Sequence, residues 1–357
     1  MHLTPRENLI RAARRQGFEW VPLDLLLCDS QVKAFHDKFG DIDYFDWFGV
    51  DFRWVNLAEH PGFSDPVKLF PREILPAGTD IDVLGIGHSK GSEAAYHMTR
   101  MHHPLQGCDD IGEIARYPLP VFGREENRPL FDEVERLHRL GLATMCQMQM
   151  TIWEASWYIR SMPDLLMDMM CNDDKATVLF DKVTDYAVRR ARLYAEAGVD
   201  ILSMGDDVGM QTGPMISVEL WEQWIKPRFR SVIDAAREIN PNVLIFYHSC
   251  GDATAFIDGL IDCGVDILNP IQPECMDFNE VHARYGDRLS FWGTLGTQRL
   301  MPFGTPEEVR EVTLDRIRTA GEKGGLIIGP THLVEPEVPF ENLAAMKLAA
   351  RELYPRP

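Results

Sequence analysis

The sequence predicts a (β/α)8 barrel of the TIM type, and three observations carry that expectation. From Leu142 onward, short apolar runs alternate with longer amphipathic stretches, which is the sequence form of βα units and a parallel sheet. A five-residue pattern is written twice: Gly198-Val199-Asp200-Ile201-Leu202 and Gly264-Val265-Asp266-Ile267-Leu268 each follow an amphipathic helix and open a strand. No Gly/Ser-rich or Pro-rich linker divides the chain, so residues 1–357 read as one barrel domain.

In order along the chain, the strand candidates are Val21–Leu27, Leu142–Met148, Ile201–Met204, Val243–Tyr247, Ile267–Asn269, Leu289–Trp292 and Leu326–Ile328. Closure needs an eighth, for which Phe52–Val55 and Ile81–Ile86 are the candidates. A helix is expected over Leu130–Leu140, Ser161 precedes Pro163 and Asp164 in a capping-box spacing, and Ser217 precedes Glu219. Gly198 and Gly264 stand where a helix must turn back into a strand. The stretch 81–120 breaks the rhythm with Gly85, Gly87 and Gly91, then His97, His102, His103 and Pro104. It reads as an inserted, hairpin-like segment.

Composition bounds the function. Hydrophobic residues make up 45% and charged residues 25% of the 357, which is ordinary for a globular chain with a large core. The net charge of −19 disfavours nucleic acid as a partner, because phosphate binding is carried by clustered Lys and Arg. The first residues are basic and polar, and the apolar run Leu23–Cys28 is far too short to span a bilayer. Seven cysteines without a CxxC pair point to reduced thiols, and with no export signal the expected location is the cytoplasm.

In parallel barrels the active site forms at the carboxyl ends of the strands, so the residues that follow each apolar run are the candidates. They are Gly205-Asp206-Asp207-Val208-Gly209-Met210-Gln211, His248-Ser249-Cys250-Gly251-Asp252, Asn269-Pro270-Ile271-Gln272 and Gly329-Pro330-Thr331-His332. His248 and Cys250 are two apart, which in extended backbone puts both side chains on one face. An imidazole and a thiolate converging at a strand end make half of a zinc site, with His332 or Asp24 available as a third polar group. The plainer alternative is a hydrogen-bonding histidine beside a small filler thiol. Asp206 and Asp207 are candidates for a general base, a metal ligand or a charge clamp, and the bland role for either is to accept backbone N–H bonds in a turn. Asn269, Gln272 and Gln211 suit amide or carboxylate recognition. Most of Met145, Met148, Met150, Met204 and Met210 should be core, but a few at the mouth, with Trp153, Trp157 and Trp292 close by, would form a flat apolar wall for a planar ring.

These residues resemble the uroporphyrinogen decarboxylase superfamily. The similarity runs from Pro5-Arg6-Glu7-Asn8 through Val21-Pro22-Leu23-Asp24 to Pro339-Phe340-Glu341-Asn342-Leu343 and is densest between Ala197 and Leu343. The haem-pathway decarboxylases carry an Arg-rich loop of the type MRQAGRY that holds the substrate's propionates; here the matching stretch reads Leu23-Asp24-Leu25-Leu26-Leu27-Cys28. The chain is more similar to the corrinoid-linked methyltransferase branch, whose coenzyme M enzymes bind zinc through HxC and a later third Cys. His248-Ser249-Cys250 matches the first part, and the third position reads Gly329-Pro330-Thr331-His332. Either His332 replaces that Cys, or zinc is held differently, or it is not bound. The resemblance also covers the first methyltransferases of anaerobic O-demethylation, which pass a methyl group from an aryl methyl ether to a cob(I)alamin carrier protein. It therefore implies a small-molecule methyl donor or a thiol acceptor, zinc as Lewis acid or as activator of that thiol, and a separate corrinoid protein as partner, since no cobalamin domain is recognisable in this chain. Two other classes compete: a cofactor-free decarboxylase of an aromatic or pyrrolic acid, with Asp206 or Asp207 stabilising a developing cation, and a non-catalytic small-molecule or corrinoid binder.

Overall fold

The structure, a computed structural model, describes residues 2–91 and 99–356. Seven parallel strands form one curled sheet: β1 Phe52–Val55, β2 Ala143–Gln149, β3 Ile201–Gly205, β4 Leu244–His248, β5 Ile267–Asn269, β6 Ser290–Trp292 and β7 Leu326–Ile327, each paired with the next. Helices lie between successive strands and cover the outer face, the longest being Asp174–Ala197, which packs against Lys226–Ile239.

The strands depart from expectation in three ways. Val21–Leu27 forms no ladder; it touches the segment that follows the last strand through two isolated parallel bridges, Leu23 to Ile328 and Leu27 to Val334. Pro22 lacks an N–H and contributes only its carbonyl, which accepts from Ile328 N at 3.0 Å. Among the described residues, all of this segment's backbone-to-backbone bonds to other strands go to that one side. Of the two candidates for an eighth strand, Phe52–Val55 joins the parallel sheet as β1. Residues 81–86 do not, because Asp80–Ile81 instead begins a three-stranded antiparallel sheet with Gly87–Lys90 and Thr99–His102. His97 lies outside the described residues. Finally, β2, β3 and β4 each run one residue beyond their apolar runs, to Gln149, Gly205 and His248. The backbone stays extended there although the side chains have turned polar, which makes His248 part of a strand.

Local signals hold where they have a mechanism. Ser161 Oγ accepts from Asp164 N and Ser217 Oγ from Leu220 N, while Gly198 (φ 80°) and Gly264 (φ 102°) take the left-handed conformation that ends their helices. The repeated Gly-Val-Asp has a shared physical cause. Asp200 accepts from Thr144 N (2.9 Å) at the start of β2, and Asp266 accepts from Ile245 N (2.8 Å) near the start of β4. Each aspartate thus ties its own strand to the preceding one at the amino end of the sheet. Arg6 and His138 also bind the buried Asp200, at 2.7 and 2.9 Å, and hold its carboxyl below the usual range despite burial.

Inside the sheet, Trp292 stacks edge-on against Phe52 and Phe246, each at 5.3 Å between ring centroids. This aromatic plug closes the interior beneath the carboxyl ends of the strands. Among the described residues no helix is long and apolar enough to cross a membrane.

Candidate active site

Strand parity decides which side chains reach the cavity above the plug. Met145, Gln147 and Gln149 of β2 line it, as do Phe246 and His248 of β4. Asp24, Leu26, Trp54, Asn269, Pro330, Thr331, His332 and Leu333 complete a wall around about 260 Å³. Among the described residues the wall contains no Lys or Arg.

At one side of this cavity, His248, Cys250 and His332 bring their ligand atoms within 4.8 Å of one another. His248 Nε2 lies 3.4 Å from Cys250 Sγ, close to the roughly 3.5 Å edge of a tetrahedron built with zinc bonds of about 2.0 and 2.3 Å. The tautomer of His248 is set by its other nitrogen. Asn269 Nδ2 donates to Trp292 O (2.8 Å), so Asn269 turns Oδ1 toward His248 Nδ1 (2.6 Å), which must donate. The lone pair of Nε2 is left facing Cys250, the orientation that metal-binding histidines obtain from their outer hydrogen bonds. Two imidazoles and a thiol, one oriented from behind, suit zinc and leave a fourth position toward the cavity.

Backbone geometry keeps the Cys250 loop tight. Cys250 N donates to Asp207 Oδ1 (2.8 Å), and Gly251 N donates to Gln272 Oε1 (3.1 Å). At Gly251 (φ 75°) a Cβ would sit 2.7 Å from the backbone of Gly209, and at Gly205 one would sit 2.3 Å from His248 O. No other residue type allows the strand ends to approach so closely. Burial and the Asp207 carboxylate push the Cys250 thiol up to about 12 in the metal-free chain. A bound cation would reverse that preference.

Several expected site residues lie elsewhere. Asp206 is fully buried and off the cavity wall; its carboxylate accepts from Ile152 N and Glu154 N at the start of helix Trp153–Arg160, and burial raises it to about 7. Both aspartates therefore accept backbone N–H bonds, and Asp207 in addition sits 3.8 Å from His248 Nε2. Met148 is completely buried, one residue out of phase with the cavity-facing Met145 and Gln147. Gln272 braces Gly251, and Gln211 meets Cys275 Sγ at 3.5 Å beside the two-stranded hairpin Gly209–Met210/Gly213–Pro214; neither lines the cavity. Trp292 is buried too, and acts through its indole N–H, which donates to Asp24 Oδ2 at 2.6 Å. Asp24 and Asn269 do line the wall.

Sequence reasoning missed Trp54, Gln147, Gln149 and Glu154. Glu154 accepts from Tyr158 OH (3.1 Å) and is raised to about 8 by burial and by the neighbouring Asp207 and Asp206. Its signal was present: it follows a strand end by five residues, but it reads as an ordinary first-turn helix residue.

Residues 78–353 match the family model described as uroporphyrinogen decarboxylase (URO-D). The chain belongs to the URO-D family. Within it, the chain is 26% identical over 250 residues to a methylated-thiol–coenzyme M methyltransferase of Methanosarcina mazei, covering 68% of this chain and 60% of that one. It is also 27% identical over 165 residues to a uroporphyrinogen decarboxylase of a Synechococcus species, covering 46% and 44%. The chain therefore spans less than two thirds of either relative. A solved methyltransferase structure from Methanosarcina mazei shares the URO-D fold, with a TM-score of 0.67, 15% identity, and coverage of 99% of this chain and 100% of that one.

Proposed function

We propose that residues 1–357 form one (β/α)8-type barrel domain, with the segment around 81–120 inserted, that acts as a zinc-dependent methyltransferase. It moves a methyl group between a small neutral donor and the corrinoid of a separate carrier protein in the cytoplasm. The observation that carries this reading is the convergence of His248, Cys250 and His332 on the cavity, with His248 oriented by Asn269. These three residues would hold the metal, which supplies Lewis acidity toward the atom that carries the methyl group. Asp207 holds the Cys250 loop, and Asn269 holds the imidazole.

Size and polarity support the substrate class. At about 260 Å³ the cavity falls below the roughly 300–1,000 Å³ of most ligand pockets, which suits one small ring. A corrinoid must then approach from outside. Trp54, Phe246, Met145, Leu26 and Leu333 offer apolar surface to a methoxylated arene, and Gln147, Gln149 and Asn269 offer amides to its oxygens. Among the described residues the wall offers no Lys or Arg to a carboxylate, which weighs against a cofactor-free decarboxylase of an acid.

Two measurements test the proposal together: zinc content of the purified chain, and single-turnover methylation of cob(I)alamin from a methoxylated arene, followed by absorbance. About one zinc per chain is expected, with transfer abolished in His248→Ala and Cys250→Ala while the fold is kept and stability changes by only about 0.5–3 kcal/mol. Variants that retain parental transfer rates would make the pair structural. A zinc-free protein that releases CO2 from an aromatic acid would establish the decarboxylase instead.

A further inference from the structure

The amino end of the sheet, opposite the cavity, holds a second concavity of about 500 Å³. It lies where the chain leaves helix Pro5–Ala13, beside the end of helix Phe278–Tyr285, and next to the loop that leads into β7. Its ionisable lining is Arg14, Arg15, Lys323, His282 and Asp287. Three cations therefore face one carboxylate, in a chain whose net charge is −19. Burial lowers the His282 imidazole, which favours its neutral form. Arg14 Nη2 donates to Asn242 O (2.7 Å) and Arg15 Nη1 to Ser290 Oγ (2.8 Å), both of them neutral acceptors. Among the described residues neither arginine, nor Lys323, forms an ion pair.

Arg15 is held in place by its surroundings. It stands just past a helix end at φ 57°, the left-handed position that glycine usually occupies. A cation is kept there at the cost of backbone strain. Gly325, itself at φ 83°, makes room for the stem, since a Cβ there would lie 2.9 Å from Arg15 Cγ. Ser290 Oγ donates its own proton to Ala13 O (2.6 Å), which turns its lone pairs to the guanidinium. The N–H groups on Nε and Nη2 have no acceptor among the described residues, and neither nitrogen is sealed from solvent. Burial lowers Arg15 below the usual guanidinium range, and Asp266 and Asp287 oppose that only as more distant charges. Asp266 is already bonded to Arg237 (2.9 Å) and to Ile245 N (2.8 Å).

Helix ends alone do not account for these cations. Helices Pro5–Ala13, Phe278–Tyr285 and Pro306–Ala320 all finish near this concavity, and positive charge is favourable at a helix carboxyl end. The bonds that Arg14 and Arg15 make go instead to a loop carbonyl and to a hydroxyl on β6.

We propose that this concavity binds a small anion that carries a phosphate group. Three positive charges against one negative leave an excess of two, which matches a phosphate dianion. The planar guanidinium of Arg15 offers forked N–H groups to phosphate oxygens, and Lys323 adds a mobile point charge. The volume falls within the roughly 300–1,000 Å³ of small-molecule sites, which leaves space for a modest organic part beside the phosphate. Asp287 would repel a second anionic group and can accept from a hydroxyl. This site lies at the other end of the barrel from His248 and stands independently of the methyl-transfer reading.

Calorimetric titration of the full chain with inorganic phosphate and with phenyl phosphate, at constant ionic strength, tests the proposal. Saturable binding of about one equivalent per chain is expected. It should weaken by on the order of 10–100-fold in Arg15→Gln and in Lys323→Gln, the loss of a hydrogen bond from a charged group, and strengthen in Asp287→Asn. Arg15→Gly suits the left-handed backbone and gives a second, folded variant, checked by circular dichroism, if the glutamine disturbs the turn. His248→Ala should bind phosphate like the parent. Absence of saturable binding, or parental affinity in Arg15→Gly combined with Lys323→Gln, would overturn the site. Binding lost in His248→Ala and retained in the Arg15 and Lys323 variants would place the anion in the cavity and overturn it equally.

Discussion

Replacing Asn269 by Ala removes two buried hydrogen bonds at once, one to His248 Nδ1 and one to Trp292 O. Each such bond contributes about 1 kcal/mol net, and the Trp292 carbonyl, on a fully buried residue, loses this donor contact at a cost of about 1–3 kcal/mol. The variant should therefore lose about 2–4 kcal/mol of stability, read from urea denaturation. Its effect on metal binding has a separate origin. Without Oδ1 the imidazole can rotate or change tautomer, and such outer partners are worth about 10–100-fold in affinity, or about 1.4–2.7 kcal/mol. Competition against a chromophoric chelator at neutral pH measures this directly. Asn269→Asp is the control: it keeps an acceptor for His248 but loses the donor to Trp292, so it should lose stability while binding zinc at least as tightly as Asn269→Ala. If Asn269→Ala is destabilised yet binds zinc within two-fold of the parent, the amide is a packing residue and the orientation of His248 has another source.

Three further outcomes are expected. Asp200→Asn should cost about 3–5 kcal/mol at neutral pH, because it leaves Arg6 and His138 facing an uncharged group. The folded Asp200 lies below its unfolded value, so its contribution is present above about pH 4 and fades as pH falls further; melts of parent and variant should converge there. In metal-free protein the sign reverses for Glu154: its folded value, about 8, exceeds the unfolded value near 4.3, so its contribution is lost as pH rises between them. Glu154→Gln should accordingly gain on the parent between pH 5 and 8, and a constant difference in melting temperature would contradict this. Gly205→Ala, whose Cβ would lie 2.3 Å from His248 O, should cost about 1–3 kcal/mol or more and lower zinc content in protein that remains folded by circular dichroism; full zinc occupancy would show that the strand ends can separate harmlessly.

The sequence made strands visible where apolar runs were long and helix ends visible where a cap or glycine has a local mechanism. β1 was harder, since Phe52-Arg53-Trp54-Val55 is short, half-buried and carries a charge. The cavity residues divided along similar lines. His248, Cys250 and Asn269 follow from position at strand ends, whereas Asp24 stands inside the Val21–Leu27 run. Composition alone does not fix which strand parity faces inward, so Met145 and Met148 are not distinguished by sequence. Asp206 and Asp207 are adjacent and chemically identical, and only the distant backbone of residues 152–154 separates the cap from the cavity neighbour. The bonds that assemble the site join partners 21 to 268 residues apart, as in His248 with Asn269 and Trp292 with Asp24, so no local pattern announces them.

The segment Val21–Leu27 has a mechanical consequence. A strand within the sheet is released only by unzipping two ladders, whereas this one is held to the sheet by a few bonds along a single margin, at Ile328 and Val334. Segments retained in this way open at lower free energy than the body of the fold, and amide exchange at Leu23–Leu27 should outpace that in β2–β4. Asp24 and Leu26 ride on that margin, while His248 and Asn269 are anchored in the interior of the ladder. One wall of the cavity can therefore breathe outward while His248 and Asn269, paired within the ladder, stay in register.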